Sequence, residues 1–106
     1  MKRAARDVRD VWFVYVARCA DDSLYTGIAR DVAARIAQHD AGKGARYTRG
    51  RGPLELVAKK KCASKGDALR LEHAIKRLPR ERKERIARAR RIALKVTRRK
   101  TSSRRR

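Results

Sequence analysis

Aromatic side chains are scarce in this chain: one Trp, one Phe and three Tyr make up 5% of its 106 residues. Any core must therefore rest mainly on Val, Ile, Leu and Ala. Apolar residues as a whole reach 42%, enough for one small domain. Acids are scarce too, 11 against 32 Lys plus Arg. There is no continuous apolar run of the roughly eighteen residues that a membrane-spanning helix needs. The opening "MKRAARDVRD" lacks the apolar stretch of a secretion signal, so export is not expected. Cysteine is limited to Cys19 and Cys62, whose separation matches no metal or redox spacing. His39 and His73 also stand alone, so a zinc site is not indicated. Both cysteines read as structural residues of a protein in a reducing cytoplasm.

What is abundant is positive charge, a formal +21. Such a surface repels itself unless anions screen it, and nucleic acid is the partner that fits. An acidic membrane would want large apolar residues opposite a basic helix face, and no segment supplies them. The last nine residues hold Arg98, Arg99, Lys100, Arg104, Arg105 and Arg106 without an acid; removing these six cations from +21 leaves +15 on the rest. Residues 97–106 read as a disordered basic tail, either a solubilising anion binder or a targeting signal. Residues 1–10 read as an extension and 11–96 as the folded domain.

Along that domain, "VWFVYVARC" (11–19) is dense in β-branched and aromatic residues and predicts a strand. "ADDS" predicts a turn, because Asp and Ser readily satisfy turn amides. "LYTGI" then returns as the second strand of a hairpin. Asp31 is placed to cap a helix over "VAARIAQH" that ends before Gly42. "LELVAKKK" (54–61) predicts a third strand. Ser64 and Asp67 form a helix-start signal for "ALRLEHAIKRL", which Pro79 breaks. "RERKERIARARRIALKV" (80–96) predicts a third helix, with Ile86, Ala89, Ala93 and Val96 on one side. The expected fold is α+β: a small three-stranded sheet containing an antiparallel pair, flanked by three helices.

Helical spacing singles out several residues. Arg35 and His39 are one turn apart beside Val32 and Ile36, either as solvated flanks of a core stripe or as groups at the edge of a site. Ala68, Leu71, Ile75 and Leu78 form the apolar stripe of the second helix, and Glu72 falls inside its arc. A carboxylate there is costly unless it pairs with Lys76, four residues on, or binds a metal. Tyr15 and Tyr25 come close on one face if their strands pair antiparallel, as core residues or as chemistry. Gly27 lets another group approach the backbone closely. The stretch "GKGARYTRGRG" (42–52) mixes four glycines with four cations. It is not a phosphate-cradling P-loop, because Lys43 is followed by Gly44 rather than Ser or Thr and no helix start follows.

"FVY" at 13–15 and "YTG" at 25–27, with Arg35, His39 and Glu72 at their spacings, resemble the signature of the GIY-YIG nucleases. The region from about 11 to 92 is similar to the small stand-alone bacterial members, including the loop "GKGARYTRGRGPLELV" and the helix "ALRLEHAIKRL". The resemblance implies the GIY-YIG fold and a metal-dependent phosphodiesterase. Glu72 would bind one divalent metal, Mg2+ or Mn2+, and Arg35 would steady the scissile phosphate. Tyr15 and Tyr25 would hold and activate the attacking water, with His39 assisting. A free tyrosine has a pKa of about 10, so neighbouring cations would have to lower it for it to act as a base. Phe13 replaces the glycine of the family name. The chain also has no asparagine, a residue that many of these nucleases place in the site.

Two functions follow as expectations. One is a nuclease acting on DNA, selective for structure rather than sequence, in repair or recombination. The other is a non-catalytic module binding DNA or structured RNA. A pure binder has no need of a carboxylate in a basic cleft, where it would repel phosphate unless a metal intervened. In either case Lys43, Arg46, Arg49 and Arg51 are expected to contact phosphate, and Tyr47 to stack on a base or pack within the loop. No small-molecule cofactor or membrane partner is expected, and a monomer is the default expectation.

Overall fold

A computed structural model describes residues 11–44 and 48–94. The N-terminal extension, Arg46, Tyr47 and the basic tail lie outside the described residues. The elements are β1 (Trp12–Arg18), β2 (Leu24–Ala29), α1 (Val32–Asp40), β3 (Glu55–Cys62), α2 (Lys65–Lys76) and α3 (Arg80–Ala89). Their order and type match the expectation from sequence.

The most apolar segment takes the central place. β1 lies between β2 and β3 and pairs antiparallel with both. Its alternating side chains divide the core. Val14 and Val16 face Ala68, Leu71 and Ile75 of α2, Ala87 of α3 and Ile92. Tyr15 and Ala17 face the other way, toward Val32 at the start of α1 and Leu54 at the entry to β3. Between Val16 and Ala17 the β3 register slips, with Ala58 opposite Val16 and Leu56 opposite Ala17. Val57 is the extra residue, and this bulge turns both Val57 and Ala58 into the same core.

The turn and cap residues behave as their chemistry requires. Asp21 Oδ1 accepts from the Ser23 amide and hydroxyl at 3.1 and 2.6 Å, closing the hairpin turn. Asp31 accepts from the Ala34 amide at 3.0 Å and starts α1. That helix ends with Gly42 at φ 82°, its amide bonded to the His39 carbonyl while the Lys43 amide reaches Gln38. This is the paired closure that favours glycine after a helix. Ser64 caps α2 by accepting from the Asp67 amide at 3.1 Å.

One boundary differs from expectation: the third helix stops at Ala89 instead of running to Val96. Arg90 adopts the left-handed conformation (φ 55°, ψ 36°), and its guanidinium donates to the Leu56 carbonyl of β3 at 3.1 Å. At about 100° per residue, a continued helix would put Ile92 on the solvent side with Glu81 and Arg85. Leaving the helix at Arg90 buries Ile92 to 4% exposure instead. Burying an isoleucine contributes roughly 1.5–3 kcal/mol. That outweighs the roughly 1–2 kcal/mol of one left-handed residue. Ala89 and Ala93, expected on a buried stripe, are exposed, and Val96 lies outside the described residues.

Candidate active site

The hairpin register creates the site. Gly27 stands directly opposite Tyr15, and Tyr25 lies opposite Ala17, so the two tyrosines are diagonal neighbours on one face. Their ring centroids are 6.2 Å apart. A Cβ on Gly27 would meet the Tyr15 hydroxyl at 2.8 Å and the Tyr25 ring at 3.0 Å. Gly27 thus clears the space that both rings occupy.

α1 delivers His39 over this pair. Far from flanking the core in solvent, the imidazole is 2% exposed. Its centroid lies 5.1 Å from that of Tyr25, edge to face. Nε2 is 2.9 Å from the Tyr15 hydroxyl, and Nδ1 is 2.7 Å from the hydroxyl of Thr48. Thr48 itself is fully buried. Gly44 lies flat against the imidazole, where any Cβ would collide with the ring. Gly44 and Thr48 of the glycine-rich stretch therefore lie against the histidine of α1 and cover it. Asp40 secures the far end of the loop, accepting from the Leu54 amide at 2.8 Å as the chain enters β3.

Arg35, one turn before His39, is half-buried, and its guanidinium donates to Gln38 at 2.8 Å. Glu72 comes from α2, which packs on β1 and β2. Its side chain is only 12% exposed, as its place in the apolar arc predicts, and it pairs with Lys76 at 3.2 Å. Of the two ways to satisfy a carboxylate at this position, the structure shows the helical ion pair with Lys76.

The electrostatics converge on the Tyr15 phenol. Its pKa is pushed up to about 12, first by burial and then by Tyr25, with Glu72 adding a smaller like-charge contribution and Arg35 opposing them. The expectation that surrounding cations lower a tyrosine is thus reversed at Tyr15, because burial outweighs the single guanidinium beside it. His39 is held below its ordinary value, first by burial and then by Arg35, while Asp40 pulls weakly the other way. At neutral pH the pair is a protonated phenol and a neutral imidazole.

Of the expected phosphate contacts, Lys43 and Arg49 are exposed. Arg51 pairs with Asp21 of the hairpin turn at 2.5 Å, and its carbonyl accepts from the Ala20 amide, so this end of the loop is pinned to the turn. Sequence reasoning passed over Thr48 and Gly44. The only available signal was that Thr48 is the sole alkyl hydroxyl in the stretch 42–52. It also passed over Lys59, which the β1–β3 register sets opposite Tyr15, with its ammonium 5.2 Å from the Phe13 ring centroid.

Among the described residues no group of three or more His, Cys, Asp and Glu side chains comes together to hold a metal. A lone carboxylate still suits Mg2+, which keeps several waters and takes one or two carboxylates plus substrate phosphate oxygens. Glu72 fits that donor set. Among the described residues, no helix is long and apolar enough to cross a membrane.

Residues 11–85 match the family model of the GIY-YIG catalytic domain. The chain is 54% identical over 74 residues to a UPF0213 protein of Natronomonas pharaonis, covering 70% of this chain and 87% of that protein. A UPF0213 protein of Cronobacter sakazakii is 51% identical over 75 residues, covering 71% of this chain and 79% of its own. Among solved structures, the solution NMR structure of a UPF0213 protein from Bacillus halodurans is 47% identical. It covers 74% of this chain and 84% of its own, with a TM-score of 0.49. With its paired tyrosines across Gly27, its α+β fold and a family match over most of the chain, the protein belongs to the GIY-YIG family, whose function is of the nuclease type.

Proposed function

We propose that the protein is a metal-dependent phosphodiesterase that cuts DNA by recognising backbone and shape, in DNA repair or recombination. One observation carries the reading: four separate groups act on a single phenol oxygen. His39 is hydrogen-bonded to Tyr15, and Tyr25, Arg35 and Glu72 all shift its proton affinity. Packing alone gives no reason to set an imidazole 2.9 Å from a buried hydroxyl beside a second phenol, with an arginine and a carboxylate near enough to bias its charge. Perturbed groups gathered in this way mark functional sites.

The residues divide the chemistry between them. Tyr15 and Tyr25 position the attacking water beside His39. The Arg35 guanidinium faces the phosphoryl oxygens and stabilises the negative charge that builds on them. Glu72 turns from Lys76 to hold the cation. When bound there, magnesium or manganese supplies Lewis-acid stabilisation of the leaving oxygen. Gly27 keeps the two phenols at their separation. Lys43 and Arg49, with Arg46, bind the backbone on either side.

The Glu72–Lys76 ion pair favours the rival reading, a module that grips nucleic acid without cutting it, because it occupies the carboxylate internally. Lys76 is half-exposed, so the pair is screened on that side and a divalent cation would compete with the ammonium for Glu72. The deciding assay offers single-stranded, duplex and branched DNA, and RNA, with magnesium or manganese. Glu72→Gln and Arg35→Ala run beside the native protein. Cleavage of DNA that both substitutions abolish while binding persists is the expected result. Binding with every substrate left intact ends the nuclease reading. Cleavage by Glu72→Gln at the native rate removes Glu72 as the metal ligand.

A further inference from the structure

The hydroxyl of Thr48 is fully buried, comes from the basic loop and ends 2.7 Å from His39 Nδ1. Nothing about gripping a phosphate backbone requires a buried hydroxyl at that point. A neutral imidazole has one N–H and one bare nitrogen, so of its two hydroxyl neighbours only one can donate to it. The other must accept. A phenol, with a pKa near 10 in water, is a far stronger acid than an alkyl hydroxyl and is the better donor to the bare nitrogen. Tyr15 therefore donates to Nε2, and Nδ1–H donates to Thr48.

We propose that Thr48 is a positioning residue, which accepts the Nδ1–H of His39 and so holds the imidazole in the tautomer whose bare Nε2 faces the Tyr15 phenol. This rests on the nuclease reading above and adds to it the route of the proton. As the water attacks, its proton passes to the Tyr15 oxygen while the proton already on that oxygen passes to Nε2. The water oxygen bonds to phosphorus as the bond to the leaving ester oxygen breaks. The leaving oxygen then takes a proton from solvent, and the imidazolium returns one to solvent. Tyr15 never has to exist as a free phenolate, which removes the difficulty of a buried phenol serving as base.

Gly44 completes the arrangement. Only a residue without a side chain fits against the imidazole at that point, so the loop presses on the ring and bonds it at once. The strand of chain that carries Lys43 and Arg49 is thereby the same strand that orients the histidine. A loop displaced from α1 would lose its grip on substrate and release His39 together. For a metal-bound histidine, losing the outer hydrogen-bond partner typically costs about 10- to 100-fold in affinity or activity, and a loss of the same order is expected here.

The test needs Thr48→Val, which keeps the shape and removes the hydroxyl, and Thr48→Ser, which keeps the hydroxyl. Long-range proton–nitrogen correlation spectra of the labelled protein read the tautomer directly. With His39 and His73 the only histidines in the chain, the exposed His73 serves as an internal reference. The native protein and Thr48→Ser are expected to carry the proton on Nδ1, and Thr48→Val to lose that preference. Steady-state cleavage is expected to show kcat reduced about 10- to 100-fold in Thr48→Val with KM unchanged, and restored in Thr48→Ser. A native Nε2–H tautomer overturns the proposal outright, whether or not the valine variant folds. So does a folded Thr48→Val that keeps the native tautomer and kcat, or one that changes KM alone. If the tautomer follows Thr48 but the native protein cuts no substrate, the positioning stands and the nuclease reading fails instead.

Discussion

Gly27 and Tyr15 face each other across the hairpin, and the missing side chain of the one is the space filled by the other. A methyl group at position 27 would stand 2.9 Å from Tyr15 Cζ and 3.0 Å from Tyr25 Cε2. The Tyr15 ring cannot yield freely, because it is fully buried and bonded to His39. Gly27→Ala is therefore expected to cost about 1–3 kcal/mol of stability, the usual range for overpacking. It should also move Tyr15 off His39 and reduce cleavage by more than the stability loss explains. Thermal unfolding and cleavage rates measured on the same preparation check this. A variant that melts and cuts like the native protein would show that the two phenols have slack.

The hairpin was the legible part of this site. Once "VWFVYVARC" and "LYTGI" are read as adjacent strands, a turn of fixed length sets Tyr15 and Tyr25 on one face. Helix geometry likewise gave the azimuths of Arg35, His39 and Glu72. What it could not give was the cover. Periodicity places His39 at the edge of the apolar stripe of α1 but says nothing of which loop returns across it. Gly44 and Thr48, five and nine residues on, bury the imidazole through contacts outside any helical or strand period. The end of α3 was hidden for a related reason. Arg90 has no sequence mark of a left-handed residue, and the gain from burying Ile92 decides the matter only in three dimensions.

Acid should weaken the fold in two separate windows. His39 has a folded pKa below its ordinary 6.5, so the unfolded chain binds its proton more readily. Its contribution is intact above about 6.5 and is lost as the pH falls through the lower, folded value. Glu84 acts at lower pH. Arg18 grips it with two hydrogen bonds at 2.8 and 3.2 Å and Arg80 adds a third at 2.7 Å, tying the end of β1 to α3. The bond from Arg18, reinforced by Arg80, holds its carboxyl at about 2, against an ordinary 4.5. That stability is complete above about 4.5 and disappears on the way down to about 2. Melting temperatures from pH 7.5 to 2 are expected to fall in both windows. Glu84→Gln should flatten only the lower one, and His39→Gln only the upper. A single acid transition untouched by either substitution would assign the acid sensitivity elsewhere.

Arg49 and Arg51 are separated by one glycine, yet they are set different tasks. Arg49 is exposed, whereas Arg51 is paired with Asp21 and holds the loop to the hairpin turn. A cation that contacts phosphate releases counterions, and each such contact steepens the dependence of log K on log salt by roughly 0.7–0.9. Arg49→Ala should weaken binding of a DNA oligonucleotide and lower that slope by about 0.7–0.9, with no change in melting temperature. Arg51→Ala should leave the slope near native, because its guanidinium is spent on Asp21 rather than on phosphate, and lower the melt only slightly, since both partners are exposed. Fluorescence anisotropy titrations over a range of salt concentrations separate the two. Equal slope changes would place both arginines on the backbone and make the Asp21 pair incidental. If neither slope changes, the loop does not face nucleic acid, and its remaining role is to hold His39 against Tyr15.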